Sequence, residues 1–189
     1  VERRVQYWRH HLDGAPTLQL PLDRPRPAQP RFRGAALAVD VSAELVGSLH
    51  ALARRCGATL FQVAATAFAV LLQRCAGQDD IMFSTVTDLR VRPELQQMVG
   101  YCLSPLVLRV GLEDDPSVVD AIQRVRDELL AGLQNVVPFE RLVRRLNRNR
   151  ERGVNPLYQA MVVLVPPRAG TGGGWILNQI EPEIASRLG

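Results

Sequence analysis

The chain of 189 residues has no lysine, three cysteines, three histidines and only 5% aromatic residues. Its net charge of +4 therefore comes from arginine, which fits a GC-rich coding bias better than a partner signal. Cys56, Cys75 and Cys102 are odd in number and lack metal-ligand spacing, so no metal site is expected. Cys56 and Cys75 fall on apolar helical faces, where free cysteine is often buried, and three reduced thiols in a cytoplasmic protein are expected. No apolar run approaches the roughly 18–20 residues of a membrane span. The N-terminus shows no secretory signal pattern, so no membrane partner is expected. The chain does not begin with Met, so Val1 is expected to be an interior cut or a processed end. The Gly-rich residues 169–174 carry no Lys-Ser/Thr and no following helix. That argues for a flexible loop over a phosphate loop. There is no Ser/His/Asp set in sensible context and no metal cluster.

What is present is a hydrophobic fraction of 47% and a mean hydropathy of −0.03. A chain of this length fits one globular, soluble domain with a sizeable core. Arg141, Arg144, Arg145, Arg148, Arg150 and Arg152 crowd one segment. Basic clusters can bind nucleic acid or an acidic protein. No nucleic-acid motif accompanies this one, and no nucleic-acid partner is expected.

The elements read in α/β order. Val1, Val5, Trp8 and Leu12 share one helical face, ended by Gly14 and Pro16. Pro21, Pro25, Pro27 and Pro30, with arginines between, predict an extended, semi-rigid linker over residues 20–34. Residues 35–41 alternate apolar and small side chains and predict a strand. Ser42 predicts an N-cap with Glu44 in the first turn. Leu45, Leu49, Leu52, Ala53 and Cys56 then form a stripe closed by Gly57. His50 beside that stripe has no second ligand near it. Thr59 caps a helix over residues 60–76, closed by Gly77 and apolar almost all round, so burial on most faces is expected. Ser117 and Pro116 announce an amphipathic helix with Val118, Val119, Ile122, Val125, Leu129 and Leu133 on one side. Pro138 opens another at an N1 position, with Glu140 near its positive end. Residues 157–165 predict a buried strand, stopped by Pro166 and Pro167.

Residues 80–109 are the centre of the chain. The blocks 81–86 and 103–108 are near-continuously apolar, which predicts strands covered on both faces. Between them lies an irregular polar crossover holding Arg90, Arg92, Pro93 and Glu94 and ending at Gly100. Loops placed by a rigid scaffold often carry function; the plain alternative is a solvated connection between strands.

Arg90, Arg92, Pro93, Glu94 and Leu95, then Gly100, Tyr101, Cys102, Leu103, Ser104, Pro105, Leu108 and Arg109, resemble a motif of nonribosomal peptide synthetase condensation domains. That motif reads Arg-x-Arg-Pro-Glu-Leu, a spacer, then Gly-x-Phe-Val-Asn-Thr-x-x-Leu-Arg. Residues 134–142 resemble the family's His-Gln-Asp-x-Pro-Phe-Glu, keeping Pro138, Phe139 and Glu140. Residues 150–159 resemble Arg-Asp-x-Ser-Arg-Asn-Pro-Leu-Phe-Gln, keeping Arg150, Asn155, Pro156, Leu157 and Gln159. Tyr7, Trp8, Leu12, Gly14, Ala15 and Pro16 resemble a segment between the family's two halves.

The resemblance implies an α/β, chloramphenicol acetyltransferase-like half-domain, a mixed sheet flanked by helices. It implies an inter-half helix and Pro-rich linker over residues 1–34, then a C-terminal condensation subdomain over residues 35–189 that stops before the final strands. Ser84, Thr85, Arg90, Gly100, Tyr101 and Ser104 are then candidates for the substrate channel and its floor loop. Pro138, Phe139, Glu140, Asn155 and Pro156 are motif residues with a structural role. Ser104 and Pro105 replace the family's Asn and Thr, and Gln134, Asn135 and Val136 replace His-Gln-Asp, so roles resting on those side chains do not carry over. His10, His11, Asp13 and Gly14 look like the superfamily's His-His-x-x-x-Asp-Gly signature, but one residue separates His from Asp where the signature has three. A helix end before a Gly turn explains them better, and no catalytic residue is expected in this chain.

The implied reaction joins a carrier-bound donor thioester to the amine of a carrier-bound acceptor. No cofactor is bound directly; the substrates ride on the phosphopantetheine of peptidyl or acyl carrier proteins. The implied partners are the N-terminal condensation subdomain, those carriers and adjacent synthetase domains. The alternatives are another acyltransferase of the superfamily and a non-catalytic module that docks a carrier.

Overall fold

The computed structural model describes residues 2–24, 34–90, 93–146 and 155–165. The elements are α1 (Glu2–His11), α2 (Ala43–Arg55), α3 (Leu60–Ala76), β1 (Asp80–Asp88), β2 (Leu103–Gly111), α4 (Val118–Gln134) and α5 (Phe139–Leu146), with a single 3-10 turn at Pro93–Leu95.

β1 and β2 pair antiparallel, in a register that places Asp80 opposite Gly111 and Asp88 opposite Leu103. Alternation then sorts their side chains to two faces. Ile81, Phe83, Leu108 and Val110 pack with Ala65, Ala69 and Leu72 of α3 and Ala121 and Val125 of α4. On the other face Met82 and Val107 pack with Val5 and Trp8 of α1, Leu142 of α5 and Leu157. The result is three layers: α3 and α4, the sheet, then α1 and α5. Both faces are covered, so the strands read as continuous apolar runs. Gly132 of α4 lets that helix approach β2, since a Cβ there would lie 3.3 Å from Leu106 Cδ1. α2 lies outside α3 and α4 through Ala53, Cys56, Val63 and Ile122.

The helix boundaries follow local chemistry. Ser42 caps α2 and Ser117 caps α4, each accepting a backbone N–H three residues on. Thr59 and Gln62 form a reciprocal capping box on α3. Gly57 and Gly77 take positive φ angles of 59° and 62° just past α2 and α3. Pro138 stands immediately before α5, its carbonyl accepting from Arg141 and Leu142 at 3.0 Å.

Four expectations need correction. Residues 35–41 form no strand: they are irregular and exposed, Leu37 by 89% and Val39 by 74%, because no described segment pairs with them. Among the described residues, 157–165 make one parallel bridge, Ser84 with Met161, flanked by Ser84 N–H to the Ala160 carbonyl and Val162 N–H to the Ser84 carbonyl. Leu157 is buried, but Val163, Leu164 and Val165 are exposed. The chain between β1 and β2 turns back on itself rather than crossing over. Finally, Cys75 is exposed while Cys56 and Cys102 are buried. It shares α3 with the exposed Ala67 and Leu71, so that helix is open on one side. Residues 25–33 of the linker, Arg92, Arg148, Arg150 and Arg152, the Pro166-Pro167 stop, the Gly-rich run and residues 175–189 lie outside the described residues.

Candidate functional site

The three motif segments meet at the end of the sheet where β1 leaves and β2 returns. Each is fixed there by ordinary backbone chemistry. Ser104, near the start of β2, is buried, and its Oγ accepts the Phe139 N–H at 3.2 Å. A side chain of the sheet thus satisfies an orphan donor at the start of α5. Phe139 in turn packs against Tyr158, ring centroids 5.5 Å apart and tilted by 59°. Asn155 Oδ1 accepts from Leu157 N–H at 3.0 Å and Tyr158 N–H at 3.3 Å, which sets the turn that aims Tyr158. Gln159 Nε2 donates to the Asn155 carbonyl at 2.7 Å. Pro156 is half-buried, and Glu140 lies exposed in the first turn of α5.

Ser84 and Thr85 occupy opposite faces of β1, and both are buried. Ser84 Oγ makes no hydrogen bond of good geometry among the described residues. The Tyr158 hydroxyl stands near Ser84 and Asn155. Burial pushes the Tyr158 phenol pKa up, Ser84 and Asn155 pull it back, and Tyr101 adds a smaller rise. Thr85 borders a cavity of about 290 Å³ that is otherwise apolar, walled by Phe61, Val86, Leu106, Leu129, Leu133 and the 163–164 segment. A second apolar groove of about 590 Å³ lies away from the site, between α2, α3 and α4.

The connecting loop begins with Arg90. Its backbone N–H donates to Asp88 Oδ1 at 2.9 Å. Its side chain reaches the Met98 carbonyl at 3.3 Å and the Gly100 carbonyl at 2.7 Å. Leu89 N–H donates to the Cys102 carbonyl at 2.7 Å, one rung beyond the sheet. Gly100 is exposed, and the neighbouring Tyr101 is 86% exposed.

At the opposite end of the sheet, Arg109 joins Asp80 through Nε at 3.0 Å and Nη2 at 2.7 Å, and its Nη1 donates to the His11 and Asp13 carbonyls. The Asp80 hydrogen bonds are the main cause holding the guanidinium pKa above its usual value. The same end accounts for the two histidines. His11 Nε2 lies 2.8 Å from Glu128 Oε2, and the ring stacks on Tyr7 at 5.3 Å. His10 is exposed. Neither stands with the loop residues. Among the described residues no three His, Cys, Asp or Glu side chains could hold a metal ion.

The structure therefore brings Ser84, Tyr101, Ser104, Phe139 and Asn155 to one place and puts Thr85 on the other face of the same strand. Sequence reasoning missed Tyr158, which joins the segments. The signal was present, since this position carries tyrosine where the motif it resembles has phenylalanine.

Known proteins resemble this chain in sequence and fold. The model of the family described as Condensation domain matches residues 1–171. The chain is 39% identical over 190 residues to a linear gramicidin synthase of Brevibacillus parabrevis, covering 98% of this chain and 4% of that protein. It is 39% identical over 181 residues to phosphinothricin tripeptide synthetase PhsC of Streptomyces viridochromogenes, covering 95% of this chain and 16% of that one. Among solved structures, the X-domain from teicoplanin biosynthesis superposes with a TM-score of 0.80 at 28% identity, over 85% of this chain and 36% of that one. A four-domain nonribosomal peptide synthetase bound to AMP and glycine gives 0.83 at 26% identity, over 89% of this chain and 13% of that one.

The fold is the mixed α/β, chloramphenicol acetyltransferase-like arrangement of such domains. The chain belongs to the condensation domain family, and the curated relatives named above are peptide synthetases. It spans well under half the length of the proteins and solved chains it matches.

Proposed function

We propose that this chain is the C-terminal half of a condensation domain that forms a peptide bond between a carrier-bound donor thioester and the amine of a carrier-bound acceptor. The observation that carries the reading is the convergence of the three motif segments: Ser104 holds the start of α5, Phe139 packs on Tyr158, and Tyr158 stands by Ser84. Its span of about a third of solved relatives of one domain supports a half rather than a whole.

In this reading the acceptor amine attacks the donor thioester carbonyl, the carbon–sulfur bond breaks, and the thiol leaves on the donor carrier. The amine must lose a proton, and a general base has to take it. No residue of the described chain is placed for that. His11 is engaged by Glu128 and stacked on Tyr7, away from the loop. The base therefore comes from an N-terminal half. This chain supplies a wall of the channel with Tyr158, backed by the buried Ser84, and Arg90, Gly100 and Tyr101 shape its floor loop. Residues 1–34 belong to the connection between the two halves, and Pro138 and Asn155 hold the supporting turns. The phosphopantetheine arms belong to the carrier proteins, and the synthetase is cytoplasmic.

The test is to read the coding region upstream for one more domain, then supply the full-length gene product with a loaded donor and a loaded acceptor carrier. An in-frame His-His-x-x-x-Asp-Gly and amide formation support the reading; an intact module with that signature and no amide overturns it. The 189-residue chain alone is expected to make no amide, and product abolished by His11→Ala would overturn the assignment of the base. A second reading, a non-catalytic docking module, draws on the likeness to an X-domain, one of which was solved as a complex with OxyB. Carrier or partner binding without turnover in the full-length protein would favour it.

A further inference from the structure

The returning limb of the β1–β2 loop has no apolar anchor of its own. Every residue from Gln96 to Tyr101 is exposed. Met98 is 47% exposed, Val99 100% and Tyr101 86%. A segment that buries so little must offset the entropy of ordering it through hydrogen bonds, and within it Gln96 N–H donates to the Pro93 carbonyl and Met98 N–H to the Leu95 carbonyl, each at 3.1 Å. Two carbonyls of this limb also take hydrogen bonds from one side chain. Arg90 Nε donates to Met98 and Nη2 to Gly100. Its Nη1 lies 3.3 Å from Asp88 Oδ1, so the guanidinium ties the end of β1 to the limb that comes back. The Arg90 side chain is 22% exposed, which leaves these bonds only partly in competition with water.

We infer that Arg90 is a positioning residue whose planar fork holds Met98, Val99 and Tyr101 outward as a preformed apolar knuckle over the site. The fork matters because the two carbonyls belong to alternate residues and Asp88 lies on a third side. A guanidinium presents separate N–H groups in fixed directions, whereas an ammonium is a compact point charge on a flexible stem. Lysine at this position keeps the charge and the Asp88 contact but cannot span both carbonyls. Tyr101, next to the clasped Gly100, adds a small rise to the Tyr158 phenol pKa that burial chiefly raises. The inference rests on the proposed function in one respect: the knuckle then lines the channel in which donor and acceptor meet, and a loosened knuckle misplaces them.

Two measurements test it. In the 189-residue chain, chymotrypsin cleavage after Tyr101 is timed for wild type, Arg90→Lys and Arg90→Gln, beside thermal melts. Both variants are expected to be cut about tenfold faster, with melting within about 2 °C of wild type, because only a local opening is released. A wild-type cleavage rate in Arg90→Lys shows that charge suffices and overturns the fork. Melting lowered in step with faster cleavage makes Arg90 a general stabiliser and overturns the positioning role. In the full-length gene product, both variants are expected to lower kcat for amide formation about tenfold while KM for each carrier stays within about twofold. Unchanged kcat in a variant whose loop is cut faster also overturns it. A wild-type product that makes no amide refutes the proposed function, while the cleavage rates still decide the clasp.

Discussion

Arg109 offers the sharpest test of how this half-domain is held together. Its guanidinium makes three hydrogen bonds to Asp80 and two to carbonyls at the end of α1. Replacing it with methionine keeps most of the stem and removes all five. Asp80 is left without its cation, and the His11 and Asp13 carbonyls lose a donor. Breaking a fully buried ion pair costs about 3–5 kcal/mol and an exposed one about 0–1. The two side chains are 25% and 31% exposed, so they lie nearer the buried limit. The expected loss for Arg109→Met is about 2–3 kcal/mol, which lowers the melting temperature by about 5–10 °C in a chain of this size. Urea unfolding of wild type, Arg109→Met, Asp80→Asn and the double variant measures it. The pair should couple by more than about 1 kcal/mol, since the second change removes a partner already lost. Trp8 gives a local readout: it is 2% exposed and its Nε1 donates to the Asn135 carbonyl at 2.7 Å, so loosened α1 shifts its fluorescence in a Trp175→Phe background. A loss below about 0.5 kcal/mol, or additive single variants, would refute the reasoning.

Three further outcomes follow from particular contacts. Ser104→Ala should cost about 1 kcal/mol by removing the acceptor for Phe139 N–H, and hydrogen exchange should quicken at the start of α5; unchanged protection there would show that the cap is idle. Gly77→Ala should cost about 1–2 kcal/mol through backbone conformation alone, because φ is 62° and no atom stands within 4 Å of the added Cβ; a neutral result in a melt would count against that account. Burial holds the Tyr7 and Tyr158 phenols above the usual tyrosine range. The folded state therefore binds those protons more tightly than the unfolded chain, so their stabilisation is present below pH about 10 and is lost as pH rises through their folded values. An alkaline titration followed by tyrosinate absorbance and melting checks it, and both phenols ionising in the ordinary range would contradict it.

The sequence alone placed the helices well, because their stop signals are local. Ser42, Thr59 and Ser117 cap, and Gly57 and Gly77 close, through interactions that span four residues or fewer. It also marked β1 and β2, whose apolar runs record cover on both faces. It failed where an element depends on a neighbour. Residues 35–41 carry a strand's alternation, yet a strand needs a partner for its N–H and C=O groups, and no described segment supplies one. The exposed Cys75 was misread for a related reason: an apolar helix does not say which of its faces a neighbour covers.

The candidate site divides the same way. Motif spacing named Ser84, Tyr101, Ser104, Phe139 and Asn155 separately, as separate residues on separate segments. Only the tertiary structure decided that Ser104 caps the helix of Phe139, that Phe139 meets Tyr158, and that Arg90 closes on Met98 and Gly100. The first two contacts link residues far apart in the chain, and no local propensity encodes any of the three. What the sequence determines by itself is hydrogen bonding and periodicity within a turn or two; which face meets which, and hence where the motifs converge, is settled when the apolar surfaces of β1, β2 and four helices are buried against one another.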